Sequence, residues 1–315
     1  MTISRRKLLA GAASVALAAP AIGRAQDRVV KVAGLRTILT VTPHFYPRFA
    51  IPGYRIEVVM FEGPADCKNA VVTGSVDFGL TGTAAVLLGG AAGEPVTMIA
   101  AGGNRGMAVI AKQDLPIARL KDLKGRKVAI LPGTTQEVFI LERLRMEGMS
   151  IKDLSPVRVP FGEMHAALVR GDVDAYVGTE PGVGLSLATG EGKLVEYPYS
   201  TPMGTLNVVT CTNASIVADQ PDLVRGFLRM HRQASEFAQS HQAETIQMSI
   251  DKFGVKREAL ERAMPNVELT WRMDAAMIEH VKIYARHMLE LKQIRALPDF
   301  ARVLEPRFND EIAAS

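Results

Sequence analysis

The chain has 315 residues, more than one comfortable core holds and suited to two modest domains at roughly 100 to 200 residues each. Hydrophobic residues make up 48% and charged residues 22%, the balance of an ordinary globular protein, which excludes a peptide or a coiled coil. The formal charge of +4, from 37 Lys and Arg against 33 Asp and Glu, invites a nucleic-acid or acidic-membrane partner. Its location withdraws the invitation: Arg5, Arg6, Lys7 and Arg24 fall in a leader without a single acid, so the rest of the chain is formally neutral.

Residues 1–25 have a basic start, an apolar run from Leu8 to Ala19, Pro20, and a small-x-small site at Gly23-Arg24-Ala25. That pattern predicts an export signal cleaved after Ala25 and a mature protein in the periplasm. The run is far short of the roughly 20 apolar residues of a spanning helix. Ser4-Arg5-Arg6-Lys7-Leu8-Leu9 resembles the twin-arginine export motif, with Leu8 where Phe is usual. With only Cys67 and Cys211, neither a disulfide framework nor a cysteine zinc cluster can be built; the two either pair or stay free.

Along the mature chain, Val29–Ala33 reads as a strand entering a loop with Arg36 and Thr37, then a helix with His44, Phe45 and Tyr46. Tyr54–Phe61 is a second strand, its helix ended by Gly74, and Val76–Leu80 a third, leading to Thr81 and Thr83. Val96–Ala101 and Met107–Ala111, around Gly102-Gly103-Asn104-Arg105-Gly106, look like a crossover. The order then recurs: Lys127–Leu131 before Thr134 and Thr135, Ser155–Val159 before a helix ended by Gly171, and Val173–Val177 before Thr179 and Glu180. Leu206–Cys211 offers a return crossing. Helices follow, with apolar residues at Leu223, Phe227, Met230, Ala234 and Phe237, and at Met277, Val281, Tyr284, Met288 and Leu291, predicted to pack outside the first lobe.

The recurrence is a repeat. Ala70-Val71-Val72-Thr73-Gly74-Ser75-Val76-Asp77 matches Ala167-Leu168-Val169-Arg170-Gly171-Asp172-Val173-Asp174 at an offset of 97, and Lys31-Val32-Ala33 matches Val128-Ala129-Ile130 at the same offset. The expected fold is therefore α/β. Two pseudo-symmetric lobes, each a mostly parallel sheet with helices on both faces, are joined by a two-crossover hinge in which Gly106 and Gly204 absorb dihedral change. Lobe I comprises 26–104 and 206–315, lobe II 105–205.

Ligands of such sheets sit beyond the carboxyl ends of the strands. Loops there carry Arg36, Thr37, Thr81, Thr83, Thr134, Thr135, Thr179 and Glu180, hydroxyls at helix N-termini that suit a small anion or simply cap their helices. Arg36 suits a bidentate oxyanion contact. Glu180 suits an amine or amide of a ligand, or else a salt bridge to Arg36 or Arg105. His44 with its aromatic neighbours suits one pocket wall, and Asp77 and Asp174, alike in both copies, suit strand-end structure. No nucleophile elbow, phosphate-cradling loop, dinucleotide fingerprint or metal-spaced histidine pair occurs, so no catalytic residue, cofactor or metal is expected.

Four segments carry a family resemblance: Gly53-Tyr54-Arg55-Ile56-Glu57-Val58, Val72-Thr73-Gly74-Ser75-Val76-Asp77-Phe78-Gly79, Leu120-Lys121-Asp122-Leu123-Lys124-Gly125-Arg126-Lys127-Val128-Ala129, and Ala167 to Ala175. In them the chain resembles the nitrate, sulfonate and taurine type of periplasmic substrate-binding proteins of ABC importers, which are similar to pyrimidine-precursor binders. The resemblance implies two lobes closing by a hinge on a small solute, delivered to a permease driven by an ATPase; a monomer with no nucleic-acid partner is expected. It places the family's threonine-rich loop on Gly133, Thr134 and Thr135 and its acidic-Pro position on Glu180 and Pro181. His44-Phe45-Tyr46 stands where many relatives have a Gly-Phe-Phe-like element, so a sulfonate, a zwitterion and a neutral heterocycle all stay open. The competing class is an enzyme on the same fold, of the pyrimidine synthase or chorismate dehydratase type; the synthase's cysteine-rich motif is absent.

Overall fold

The computed structural model describes residues 27–50 and 52–314. The leader predicted at 1–25, with its cleavage site, lies outside the described residues. The first half-repeat runs β1 (Arg28–Leu35), β2 (Tyr54–Phe61), α1 (Pro64–Val72), β3 (Phe78–Gly82), α2 (Thr83–Ala91) and β4 (Val96–Arg105). The second runs β5 (Met107–Lys112), β6 (Lys127–Ile130), α3 (Thr135–Met146), β7 (Ser155–Arg158), α4 (Phe161–Arg170), β8 (Ala175–Thr179), α5 (Gly182–Thr189) and β9 (Gly192–Glu196). The chain returns through β10 (Leu206–Asn213) to α6 (Ala214–Asp219), α7 (Pro221–Ser240), α8 (Gln242–Phe253), α9 (Arg257–Ala263), β11 (Val267–Leu269) and α10 (Ala275–Glu290).

Two sheets result, ordered β11-β4-β10-β3-β1-β2 and β7-β6-β8-β5-β9. Pairing is parallel among the three strands that each repeat copy supplies, β1 with β2 and β3, and β6 with β7 and β8. The crossing strands run antiparallel, β10 to β3 and β4, β5 to β8 and β9, because a chain arriving from the other lobe enters at the cleft end and runs away from it. The sheets change over between Arg105 and Met107, where Gly106 has φ 70°, and between Glu196 and Leu206, where Gly204 has φ 68°.

The repeat is visible in a backbone clamp. The Lys31 N–H donates to the Asp77 carboxylate at 2.8 Å, and the Asp77 N–H returns a bond to the Lys31 carbonyl at 2.9 Å. Lys127 and Asp174 do the same at 2.9 and 2.8 Å. The sequence separations are 46 and 47, so the constant offset expected from the sequence slips by one residue between the first and third strands. A loop can take one extra residue without disturbing either strand, and short strings matched at both ends cannot show where it sits.

Packing on the first sheet follows the helical periodicity. Phe227 of α7 stacks on Phe78 with centroids 3.8 Å apart, and Phe45 and Tyr46 are fully buried in the same core, serving packing and not a pocket wall. His231 is a satisfied core histidine: its ring meets the Tyr46 hydroxyl and the Ala101 carbonyl, each at 2.8 Å, and burial holds it neutral down to about pH 4. Cys67 and Cys211 are buried free thiols.

Two C-terminal helices also reach the second lobe, α10 while packing on the first-lobe core as expected, and α9, for which the sequence carried no expectation. On α10, Tyr284 reaches the second lobe, its ring 5.9 Å from Phe139 and its hydroxyl donating to the Thr135 carbonyl at 3.4 Å. α9 inserts Leu260 into the first core while lying against α5 of the second lobe. Their approach is close because residue 184 is glycine: a Cβ there would stand 2.2 Å from the Ala259 carbonyl oxygen and 3.1 Å from the Ala263 nitrogen. In an open helix Gly→Ala stabilises by about 1 kcal/mol. Here Gly184→Ala should instead destabilise by about 1 to 3 kcal/mol in denaturant unfolding, since the colliding atom is backbone; a gain in stability would contradict this packing.

Candidate functional site

Every parallel strand ends at the same cleft, so the loops behind them converge. Arg36 and Thr37 follow β1, Glu62 follows β2, Phe161 and Gly162 follow β7, and Thr179, Glu180 and Pro181 end or follow β8. The turn from Phe253 to Lys256, between α8 and α9, completes the wall. Together they enclose a chamber of about 390 Å³, within the roughly 300–1,000 Å³ typical of sites for organic ligands.

Arg36 is tied to Glu62 at 2.9 Å, both side chains exposed, which neutralises its charge at the rim. Thr37 is buried and caps the turn Ile38–Thr40, its oxygen accepting the Leu39 N–H at 3.0 Å. The Thr179 hydroxyl and the Glu180 N–H both donate to the Gly106 carbonyl, at 3.0 and 2.9 Å, which pins this loop to the hinge. Glu180 is 1% exposed, and its carboxylate accepts from the Gly184 N–H at 2.8 Å and from the Asn266 amide at 3.1 Å. Burial pushes its pKa up to about 7, against these two hydrogen bonds. The salt bridge considered for Glu180 does not form, since Arg36 pairs with Glu62 and Arg105 is exposed on a backbone of φ 61°. Glu180 thus ties α5 to the segment that follows α9. His165 engages Ser186 at 2.9 Å, and burial holds its pKa below the ordinary value.

Thr83, Thr134, Thr135 and His44 lie away from the chamber lining. The Thr83 and Thr135 hydroxyls, at the first residues of α2 and α3, both donate to the main-chain carbonyl of Asn207, at 2.9 and 3.1 Å. Thr83 and Asn207 belong to the first lobe and Thr135 to the second, so one carbonyl bridges the lobes. The Asn207 side chain adds bonds to the Arg105 carbonyl at 2.6 Å and from the Gln136 amide at 3.4 Å. Thr134 caps α3, accepting the Glu137 N–H at 3.3 Å. Between these N-termini is an inner recess of only about 10 Å³, barely the volume one water requires. His44 sits edge-on to Phe253 at 5.6 Å and, with its pKa lowered to about 4 by burial and by Lys252, braces that wall as a neutral ring.

Sequence reasoning missed Phe161, Leu185, Phe253, Val255, Lys256 and Asn207. Phe161 was within reach: each copy has three parallel strands, and the loop after the second, like those after the first and third, must open on the cleft. The Phe253 turn carries a helix-stop signal, Gly254 with φ 69°, but nothing local says that this stop faces the other lobe.

Two α/β lobes with a chamber between them, walled by loops from both, make the architecture of the two-lobed binding proteins. Residues 49–245 match the NMT1/THI5 like family, and the chain belongs to that family. Among its relatives, the putative aliphatic sulfonates-binding protein of Escherichia coli (strain K12) is 28% identical over 141 residues, 44% of this chain and 44% of that protein. The chain therefore aligns with less than half of that relative's length. The protein of the same name from Bacillus subtilis (strain 168) is 24% identical over 226 residues, 71% of this chain and 68% of that one. The alkanesulfonate-binding protein SsuA from Xanthomonas axonopodis pv. citri, solved with MOPS bound, has the same fold, with a TM-score of 0.79 and 18% identity over 90% of this chain and 99% of that chain.

The raised pKa of Glu180 has a sign that can be tested. The folded protein keeps this proton to about pH 7 while the unfolded chain releases it near 4.5, so rising pH costs stability across that window. Glu180→Gln should remove this loss: between pH 5 and pH 8 the variant should gain on the wild type by up to about 3 kcal/mol in denaturant unfolding. His44 and His231 run the opposite way in both proteins and cancel in the difference. A constant difference between the two proteins would show that Glu180 titrates normally.

Proposed function

We propose that this protein is the extracytoplasmic solute-binding component of an ABC importer, capturing a small organic acid or zwitterion between its lobes and presenting it to a permease and ATPase. The observation that carries the reading is the chamber itself, closed by loops from both lobes and tied through Thr179 and Glu180 to the Gly106 carbonyl at the crossover. The names of the sulfonates-binding relatives support a sulfonate-type anion as the first ligand class to test. The leader, its twin-arginine type, cleavage after Ala25, periplasmic location and action as a monomer belong to the same proposal. Among the described residues no helix is long and apolar enough to cross a membrane.

We read the protein as a binder and not an enzyme because the chamber's titratable groups, apart from the exposed Lys256, are already committed to structure. Glu180 is held by Asn266 and Gly184, His165 by Ser186, and Arg36 by Glu62. Among these, the hydroxyl–imidazole contact of Ser186 with His165 presents no nucleophile to a solute, because Ser186 is fully buried and its hydroxyl is shared with Tyr176 at 2.7 Å. Arg36, Thr37 and Glu180 remain in the proposed site, the first two at its wall and the third as the residue that sets its floor.

The mature protein should bind one solute per chain, and ligand at 100 times its dissociation constant should stabilise it by about 2.7 kcal/mol. A thermal-shift screen over sulfonates, carboxylates, nitrate and pyrimidines, followed by calorimetry, checks this. Turnover of a bound compound, with products released, would contradict a pure binding role.

A further inference from the structure

The chamber has a shape and a charge that narrow its ligand, and the argument rests on the solute-binding reading above. The small-anion seat expected at the N-termini of α2 and α3 is taken: the Thr83 and Thr135 hydroxyls are spent on the Asn207 carbonyl, and the recess beside them holds about 10 Å³. The free volume lies outward, about 390 Å³, where a dry cavity of about 150 Å³ already accommodates benzene. Its walls include Phe161 and Leu185 of the second lobe and Phe253 and Val255 of the α8–α9 turn. A solute the size of nitrate would leave that apolar surface wet and contribute little burial.

Charge sets the other end. Arg36 is neutralised by Glu62, and Glu180 is buried with hydrogen bonds to both carboxylate oxygens. Lys256, exposed at the start of α9 and in the chamber lining, has no ion-pair partner among the described residues. It is the uncompensated cation of the site.

We infer that the chamber takes an amphipathic organic acid, its ring-bearing or branched apolar body lodged between Phe161, Leu185, Phe253 and Val255 and its acid group at the mouth beside Lys256. The apolar body supplies affinity, and the acid, at an exposed lysine, sets orientation more than strength. The α8–α9 turn thereby becomes the specificity wall, with His44 bracing Phe253 from behind.

Calorimetry on the mature protein tests this with nitrate, taurine, butanesulfonate, naphthalene-2-sulfonate, 2-naphthoate and its neutral amide. The two-ring acids should bind about 100-fold tighter than taurine. Phe253→Ala should weaken them about ten- to a hundredfold and leave taurine unchanged, with Leu185→Ala showing the same order if the first variant folds poorly. Lys256→Gln should weaken the naphthoate about two- to fivefold and spare its amide. Nitrate or taurine binding tightest, indifferent to Phe253→Ala, would overturn the inference while the solute-binding reading stands. Binding of no compound of any size would overturn both.

Discussion

The carbonyl of Asn207 receives one hydroxyl from each lobe, Thr83 and Thr135, and the rest of the site is arranged around that junction. Each bond is worth only about 0.5 to 1.5 kcal/mol net, because water replaces it when the lobes part. A latch of that strength holds a closed form without locking it. It also fixes the two helices whose N-termini would otherwise be free for an anion, and so moves the available volume outward.

Closure is reinforced from two further directions. α10 touches the second lobe through Tyr284, and α9 lies against α5 where Gly184 removes the side chain that would hold the helices apart. Asn266, after α9, bonds Glu180, and Glu180 holds the first turn of α5. Opening must therefore break or carry along the α9 segment, and the turn that segment shares with α8 is the outer wall of the chamber. A solute packed on Phe253 and Phe161 would join the same two bodies that the latch joins.

Much of this was legible in the sequence, and the limits have physical causes. The repeat displayed both lobes because strand and helix are local patterns written twice, and the Asp77 and Asp174 of the two copies close the same long-range clamp. The crossing points were legible because Gly106 and Gly204 interrupt apolar runs where the chain changes sheet. The threonines' places at the starts of α2 and α3 were legible but their partners were not: capping is decided within a few residues, whereas the bond from Thr135 to Asn207 spans 72 positions. Arg36 and Glu180 could be placed at the chamber because they stand directly after strands, yet their partners, Glu62 and Asn266, depend on how distant segments meet. α9 carried no local sign that it would leave the first lobe's surface, since the signal is an absence, the missing side chain of Gly184 on another helix.

The central claim is that the solute lies in the outer chamber while the Asn207 junction stays closed behind it. A crystal structure of the protein with its tightest-binding solute tests that most directly. The account predicts ligand density between Phe161, Leu185, Phe253 and Val255, with the Thr83 and Thr135 hydroxyls still on the Asn207 carbonyl. Density at the N-termini of α2 and α3, with those two bonds broken and the ligand in their place, would contradict it.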